Sequence, residues 1–195
     1  AKAFPLYFII ISAGIGIVAG CNSLIANSLG AHNKVSASIY SYHSVIYAFF
    51  LSIFITLIGI NFSYDVLKYM GSDNESINLS LQYTDIIFFG TIIFLILTSF
   101  NSILYAQGDT KTYRNVLIVG VAVNILLNPI FIFGFFIIPA FGIAGLAIST
   151  LLIQFVACIY LFYRVNKTDL KIQIKISNFF IRKNFLFNIF NQSMP

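Results

Sequence analysis

The sequence predicts an all-α, polytopic membrane helix bundle of about five transmembrane helices, and three observations carry that reading. Of 195 residues, 59% are hydrophobic and 9% charged, whereas a soluble domain carries about a quarter charged residues. The mean hydropathy is +0.92, and 22 Phe and 11 Tyr stand against six acidic residues, which leaves too little polar surface to cover a water-facing sphere. The apolar residues also fall into about five runs, each near the roughly 20 residues needed to cross a hydrocarbon core. No length remains for a soluble catalytic domain.

The first segment runs from about Phe4 to Leu29, with Pro5 in its first turn, where a missing N–H costs nothing, and it stops at Gly30. The second covers about residues 35–60. The third, about 79–106, is closed by Gly108-Asp109-Thr110. The fourth, about 112–136, and the fifth, about 142–163, are joined by a short turn around Pro139 and are therefore antiparallel neighbours. Sheet is not expected, because an open sheet edge leaves backbone groups unsatisfied in lipid.

The charges orient these spans. Numbering the loops alternately, one side receives Lys34, Lys111, Arg114, Arg164, Lys167, Lys171, Lys175, Arg182 and Lys183, and the other only Lys2 and Lys68. That asymmetry is a positive-inside signal, and it also accounts for the net charge of +5 without a nucleic-acid partner. The basic side is read as cytoplasmic, so the loop with Asp65, Asp73 and Glu75 faces outward and the first segment descends from outside. An odd number of spans that begins outside leads us to expect a further helix before Ala1, the alternative being a natural five-helix protein. Residues 166–183 read as a basic cytoplasmic linker beside anionic headgroups. In it Leu170, Ile172, Ile174 and Ile176 alternate with Lys171, Gln173, Lys175 and Ser177, a period of two that does not suit an in-plane amphipathic helix. Residues 184–195 turn apolar again, like the start of a further span.

Few motifs carry chemistry. Gly14, Gly16 and Gly20 lie inside an unbroken apolar run with no preceding strand, so a nucleotide-binding loop fails its context. Ser12, Gly16 and Gly20, four residues apart, read instead as a helix-packing seam. Cys21 and Cys158 lie in apolar stretches and read as packing residues. No HExxH, nucleophile elbow or P-loop occurs, and the two His form no metal cluster. An enzyme, a metal site and a bound cofactor are therefore not expected.

The fourth segment says more. Gly120, Asn124 and Asn128 share one face at four-residue spacing, and Pro129 comes next, removing a backbone bond to the Ile125 carbonyl. Amides in hydrocarbon are costly unless they bond a neighbouring helix or line a wet cavity, and both readings stand at this point. Asp85 is expected at the water interface, the alternative being a functional carboxylate, and His43 as a hydrogen-bonded core residue or a proton carrier.

Three blocks then resemble a known family, the multidrug and toxic compound extrusion (MATE) transporters, particularly their DinF-like branch. They are Gly14-Ile15-Gly16 through Asn22-Ser23-Leu24-Ile25-Ala26 to Leu29-Gly30-Ala31; Ile103 to Lys111; and Asn124-Ile125-Leu126-Leu127-Asn128-Pro129 with Phe131-Ile132-Phe133, continuing to Gly142-Ile143-Ala144-Gly145 and Ala147-Ile148-Ser149-Thr150. The resemblance implies helices two to six of the N-terminal lobe, the linker and the opening of helix seven in a twelve-helix, two-lobe transporter. The first helix and the C-terminal lobe would lie outside the chain.

The resemblance further implies a multi-pass protein of a bacterial cell membrane, exchanging protons or sodium for drug-like, often cationic amphiphilic small molecules by alternating access. Its partners would be the lipid bilayer, those substrates and the remainder of the transporter. The same resemblance puts Asn124, Asn128 and Thr150 in a polar, cation-linked cluster, with Asn128 at a position that is Asp in many relatives. The competing expectations are a lipid-linked oligosaccharide flippase of a related class, disfavoured by the lack of basic residues away from the segment ends, and a truncated membrane fragment that does not transport.

Overall fold

The computed structural model describes residues 4–71, 73–170 and 183–193. They form seven helices, α1 (Phe4–Gly30), α2 (Lys34–Tyr69), α3 (Asn74–Phe89), α4 (Thr91–Ala106), α5 (Lys111–Phe133), α6 (Ile143–Asn166) and α7 (Lys183–Ser193). Lys2, Lys171, Lys175 and Arg182, and the alternation after Leu170, lie outside the described residues. Helices α1, α2, α5 and α6 are each long and apolar enough to cross a membrane, and α3 with α4 makes a fifth crossing when the pair is taken as one span.

The third segment departs from the single span expected over 79–106. It starts at Asn74, where Asp73 caps it by accepting from the Ser76 N–H at 3.2 Å, and it bends by 47° between α3 and α4, with Gly90 at the break. The break has local causes. A Cβ on Gly90 would collide with the Leu151 side chain of α6, so glycine lets α6 approach the backbone there. The carbonyls just before the bend are taken by hydroxyls: Thr91 Oγ1 donates to Ile87 O at 3.3 Å and Thr56 Oγ1 of α2 donates to Phe88 O at 2.7 Å. Hydroxyls that re-satisfy freed carbonyls make a broken helix tolerable in lipid.

Two boundaries also move. Helix α2 continues past the expected Ile60 to Tyr69; its 36 residues rise about 54 Å, well beyond the ~30 Å core, so its last turns with Asp65 and Lys68 project out of the apolar layer. Helix α5 stops at Phe133 rather than Phe136, because Gly134 takes φ +78°.

Helix α1 lies centrally, packed on α2, α4 and α7, while α6 lies against α3, α4 and α5. Ile10, Ile17, Cys21 and Ile25 of α1 are fully buried with Leu95, Ile103 and Leu104 of α4. Ser44 of α2 and Ser99 of α4 join their hydroxyls at 2.8 Å within this core. The small-residue seam of α1 receives α7: a Cβ on Gly16 would lie 2.7 Å from the Ser193 carbonyl oxygen, and one on Gly20 2.5 Å from the Ser193 Oγ. Asn188 of α7 also donates to the Tyr40 hydroxyl at 3.1 Å. Helix α5 is the outlier, with Thr112 as its one buried residue, and it joins the bundle chiefly through α6.

Candidate functional site: a polar ladder between α5 and α6

Residues four apart on a helix share a face, so Asn124 and Asn128 stand one above the other on α5. The Asn128 amide donates to Asn124 Oδ1 at 2.5 Å, and the Asn124 amide reaches Thr150 Oγ1 of α6 at 3.5 Å. Ser149 Oγ donates to Asn128 Oδ1 at 2.5 Å. Thr150 Oγ1 in turn donates to the Leu146 carbonyl at 2.8 Å, and Ser149 Oγ lies 3.0 Å from the same carbonyl. The four side chains form one hydrogen-bonded ladder across the α5–α6 interface, with Ser149 fully buried and the other three half-buried.

The ladder borders open space. A cavity of about 530 Å³ is lined by Asn128, Thr150, Tyr7, Ser80, Tyr83 and Phe4 among others. A second, of about 250 Å³, is lined by Asn124, Thr150 and Gln154 with Gly120 and Leu97. Thr150 touches both. No charged residue lies between Asn115 and Tyr163, so every polar atom of the ladder is neutral. It offers amide and hydroxyl oxygens, which are hard donors of the kind that alkali cations accept, and nothing in it titrates.

The three residues singled out in the sequence, Asn124, Asn128 and Thr150, are thus brought together. Ser149 escapes sequence reasoning; it is one of a Ser-Thr pair, and only the packing of α6 on α5 shows which hydroxyl meets which amide. Tyr7 and Tyr83, which help to line the larger cavity, carry no signal among eleven tyrosines. Asp85 is half-buried on α3 and lines neither cavity. His43 is buried on α2, its Nδ1 2.8 Å from the Ile39 carbonyl oxygen, with Tyr42 and Phe185 rings each 5.6 Å from its own. This geometry matches a hydrogen-bonded core histidine, one of the two roles its sequence position allows.

At the end of the bundle where α5 begins, Asp109 accepts from the Thr112 N–H at 3.0 Å and the Thr112 hydroxyl at 2.6 Å, and pairs with Arg164 at 3.0 Å. Partial burial pushes its carboxyl up, but the Thr112 bonds and the Arg164 guanidinium outweigh this and hold it below the usual carboxylate range.

Comparison with known proteins gives this arrangement its relatives. The family model MatE matches residues 1–130, and the model Lipid II flippase MurJ matches residues 80–191. The chain is 34% identical over 149 residues to the probable multidrug resistance protein YoeA of Bacillus subtilis, covering 76% of this chain and 32% of that one. It is 27% identical over 154 residues to the FAD transporter of Shewanella oneidensis, covering 79% and 34%. A crystal structure of MATE in the bent conformation superposes on all of this chain and 43% of its own with a TM-score of 0.90 at 28% identity. The chain therefore spans about a third of the length of these curated relatives.

Proposed function

The chain belongs to the MATE family of multidrug efflux transporters, and from that premise we propose that it supplies one wall of a cation-coupled antiporter in a bacterial cell membrane, exporting amphiphilic small molecules by alternating access. The observation that carries this reading is the α5–α6 ladder beside a cavity of about 530 Å³. Asn124, Asn128 and Thr150 are its functional residues, with Ser149 holding Asn128 in register. The aromatic lining, Phe4, Tyr7 and Tyr83, suits an apolar or cationic guest. The coupling ion is sodium or a proton, and because the ladder itself does not titrate, proton coupling would draw its carboxylate from outside this interface.

The test uses the full-length protein. Replacing Asn124 by Ala removes one amide from the ladder. If the ladder only staples two helices, the loss is about 0.6 kcal/mol and at most about 1.7, and efflux per folded molecule is unchanged. We expect instead a severalfold loss of ion-driven efflux at near-normal membrane expression. Asn128→Asp adds a titratable group to the ladder and is expected to stay active with a shifted pH profile. Unchanged efflux against pH for both variants, normalised to folded protein, would remove all three residues from the function.

The MurJ match over residues 80–191 raises a second reading, transport of a lipid-linked saccharide. Against it, among the described residues neither cavity beside the ladder is lined by a basic side chain, which a pyrophosphate-linked cargo calls for. Proteoliposomes offered a cationic dye and a lipid-linked oligosaccharide separate the two, and movement of the second alone would replace our reading.

A further inference from the structure

We propose that the α5–α6 turn is a membrane wedge, whose Phe135-Phe136-Ile137 tip sits in lipid at the boundary between acyl chains and headgroups, on the face of the bilayer opposite the Asp109–Arg164 end. The inference does not rest on the transport reading.

The tip is bare and apolar. Phe136 is 100% exposed, Ile137 90% and Phe135 66%. From Pro129 to Ile148 no side chain carries a nitrogen or oxygen atom, and from Asn115 to Tyr163 none is charged. A convex tip of this composition standing in water would expose a contiguous apolar patch of the kind that marks a docking or membrane surface.

Length puts the tip at the right depth. From Arg114 to Phe133 helix α5 rises about 29 Å, close to the ~30 Å of the hydrocarbon core. With Arg114 held at one headgroup layer, the turn arrives at the other without a polar residue to carry it farther into water.

The turn is also built to tolerate such a place. Phe135 and Ile138 exchange two backbone hydrogen bonds of 3.0 Å, and the Phe141 and Gly142 N–H groups bond back to Phe131 O at 3.0 Å and Ile132 O at 3.2 Å. Main-chain groups paired within the turn lower the cost of leaving water. Gly134 permits this closure, since a Cβ there would fall 2.9 Å from both Ala140 N and Ile138 O. Phe136 adopts φ +55°, a conformation that Asn, Asp or Gly takes more readily than a bulky residue. An aromatic ring therefore occupies the one non-glycine position of the turn where a small polar residue would be the easier choice. With no charged side chain from Asn115 to Tyr163, the tip reads the apolar layer and not headgroup charge.

The experiment places Trp at the tip of the full-length protein, Phe136→Trp, and takes the difference spectrum against the unsubstituted parent; this chain contributes no Trp of its own. The probe is a phosphatidylcholine vesicle with or without bromine on the acyl chain near the ester. We expect blue-shifted emission, severalfold stronger quenching by bromolipid than by aqueous iodide, and no change when anionic phosphatidylglycerol is mixed in. Stronger quenching by iodide would place the tip in water, and blue emission quenched by neither agent would place it against protein; either result overturns the proposal. Ile137→Trp carries the same reading should Phe136→Trp fail to accumulate.

Discussion

Asp109 shows how much one side chain does at the end of the bundle. It satisfies two donors of the first turn of α5 and meets Arg164 from α6, so it caps one helix and ties it to another. Asp109→Asn keeps an acceptor for the cap and loses the charge; the partial exposure of Arg164 limits that loss to under about 1 kcal/mol. Asp109→Ala removes the cap as well and is expected to cost about 1 kcal/mol more. Because the folded-state carboxyl lies below its ordinary value, its contribution is present above the unfolded value near 4 and disappears as pH falls through the folded one. Thermal unfolding in detergent should therefore show a constant wild-type advantage over Asp109→Asn from pH 7 to about 5, which closes only in stronger acid. An advantage that vanished between pH 7 and 6 would contradict this account. The ladder residues illustrate what is legible at this scale. Asn124 and Asn128 announce themselves because their spacing is a helical property of one segment, while Ser149 and Tyr83 matter through where α6 and α3 pack, which no local pattern encodes.

At the level of elements, the hydrophobic runs locate each long helix among the described residues but misplace what happens inside and just beyond them. The bend at Gly90 is invisible in the sequence because glycine is common in membrane helices and the run around it stays apolar. Hydropathy ends α2 too early because helix continues in water after the apolar residues have thinned out. It carries α5 as far as Phe136 because no polar residue punctuates the α5–α6 turn. The bend gives a sharp test. Gly90→Ala drives a methyl into Leu151 of α6, and overpacking of this kind costs about 1–3 kcal/mol. Truncating the opposing side chain, Leu151→Ala, costs stability alone but should relieve the clash, so the double variant should be more stable than the sum of the singles allows. A double-mutant cycle on unfolding in detergent measures that coupling. Strict additivity would mean that Gly90 and Leu151 do not share the space between α3–α4 and α6.

For the whole molecule, the sequence's charge asymmetry says which end faces the cytoplasm, and the structure says which loops share an end. The alternate-loop count gives nine basic residues against two, which takes the helices as strictly alternating. The structure supplies the contacts that such alternation requires. Lys34 at the start of α2 pairs with Asp169 just after α6 at 2.8 Å, and Asp109 between α4 and α5 pairs with Arg164 near the end of α6 at 3.0 Å. Three loops that the count assigns to one side are thus tied together at one end. Asn74 at the start of α3 lies next to the opposite turn. In a cysteine-free background of the full-length protein, cysteine at Asn74 should be modified on intact cells by an impermeant thiol reagent, while cysteine at Ala31 or Thr110 should be modified only after the membrane is opened. Ala31 and Asn74 are chosen because Asn33 and Asp73 cap α2 and α3, and replacing a cap would confuse accessibility with unfolding. The reverse pattern would turn the molecule over, put the basic end outside and transfer the Phe136 tip to the inner leaflet. A mixed pattern, with Ala31 and Thr110 on different sides, would break the alternation itself and with it the counting of α3 and α4 as a single crossing.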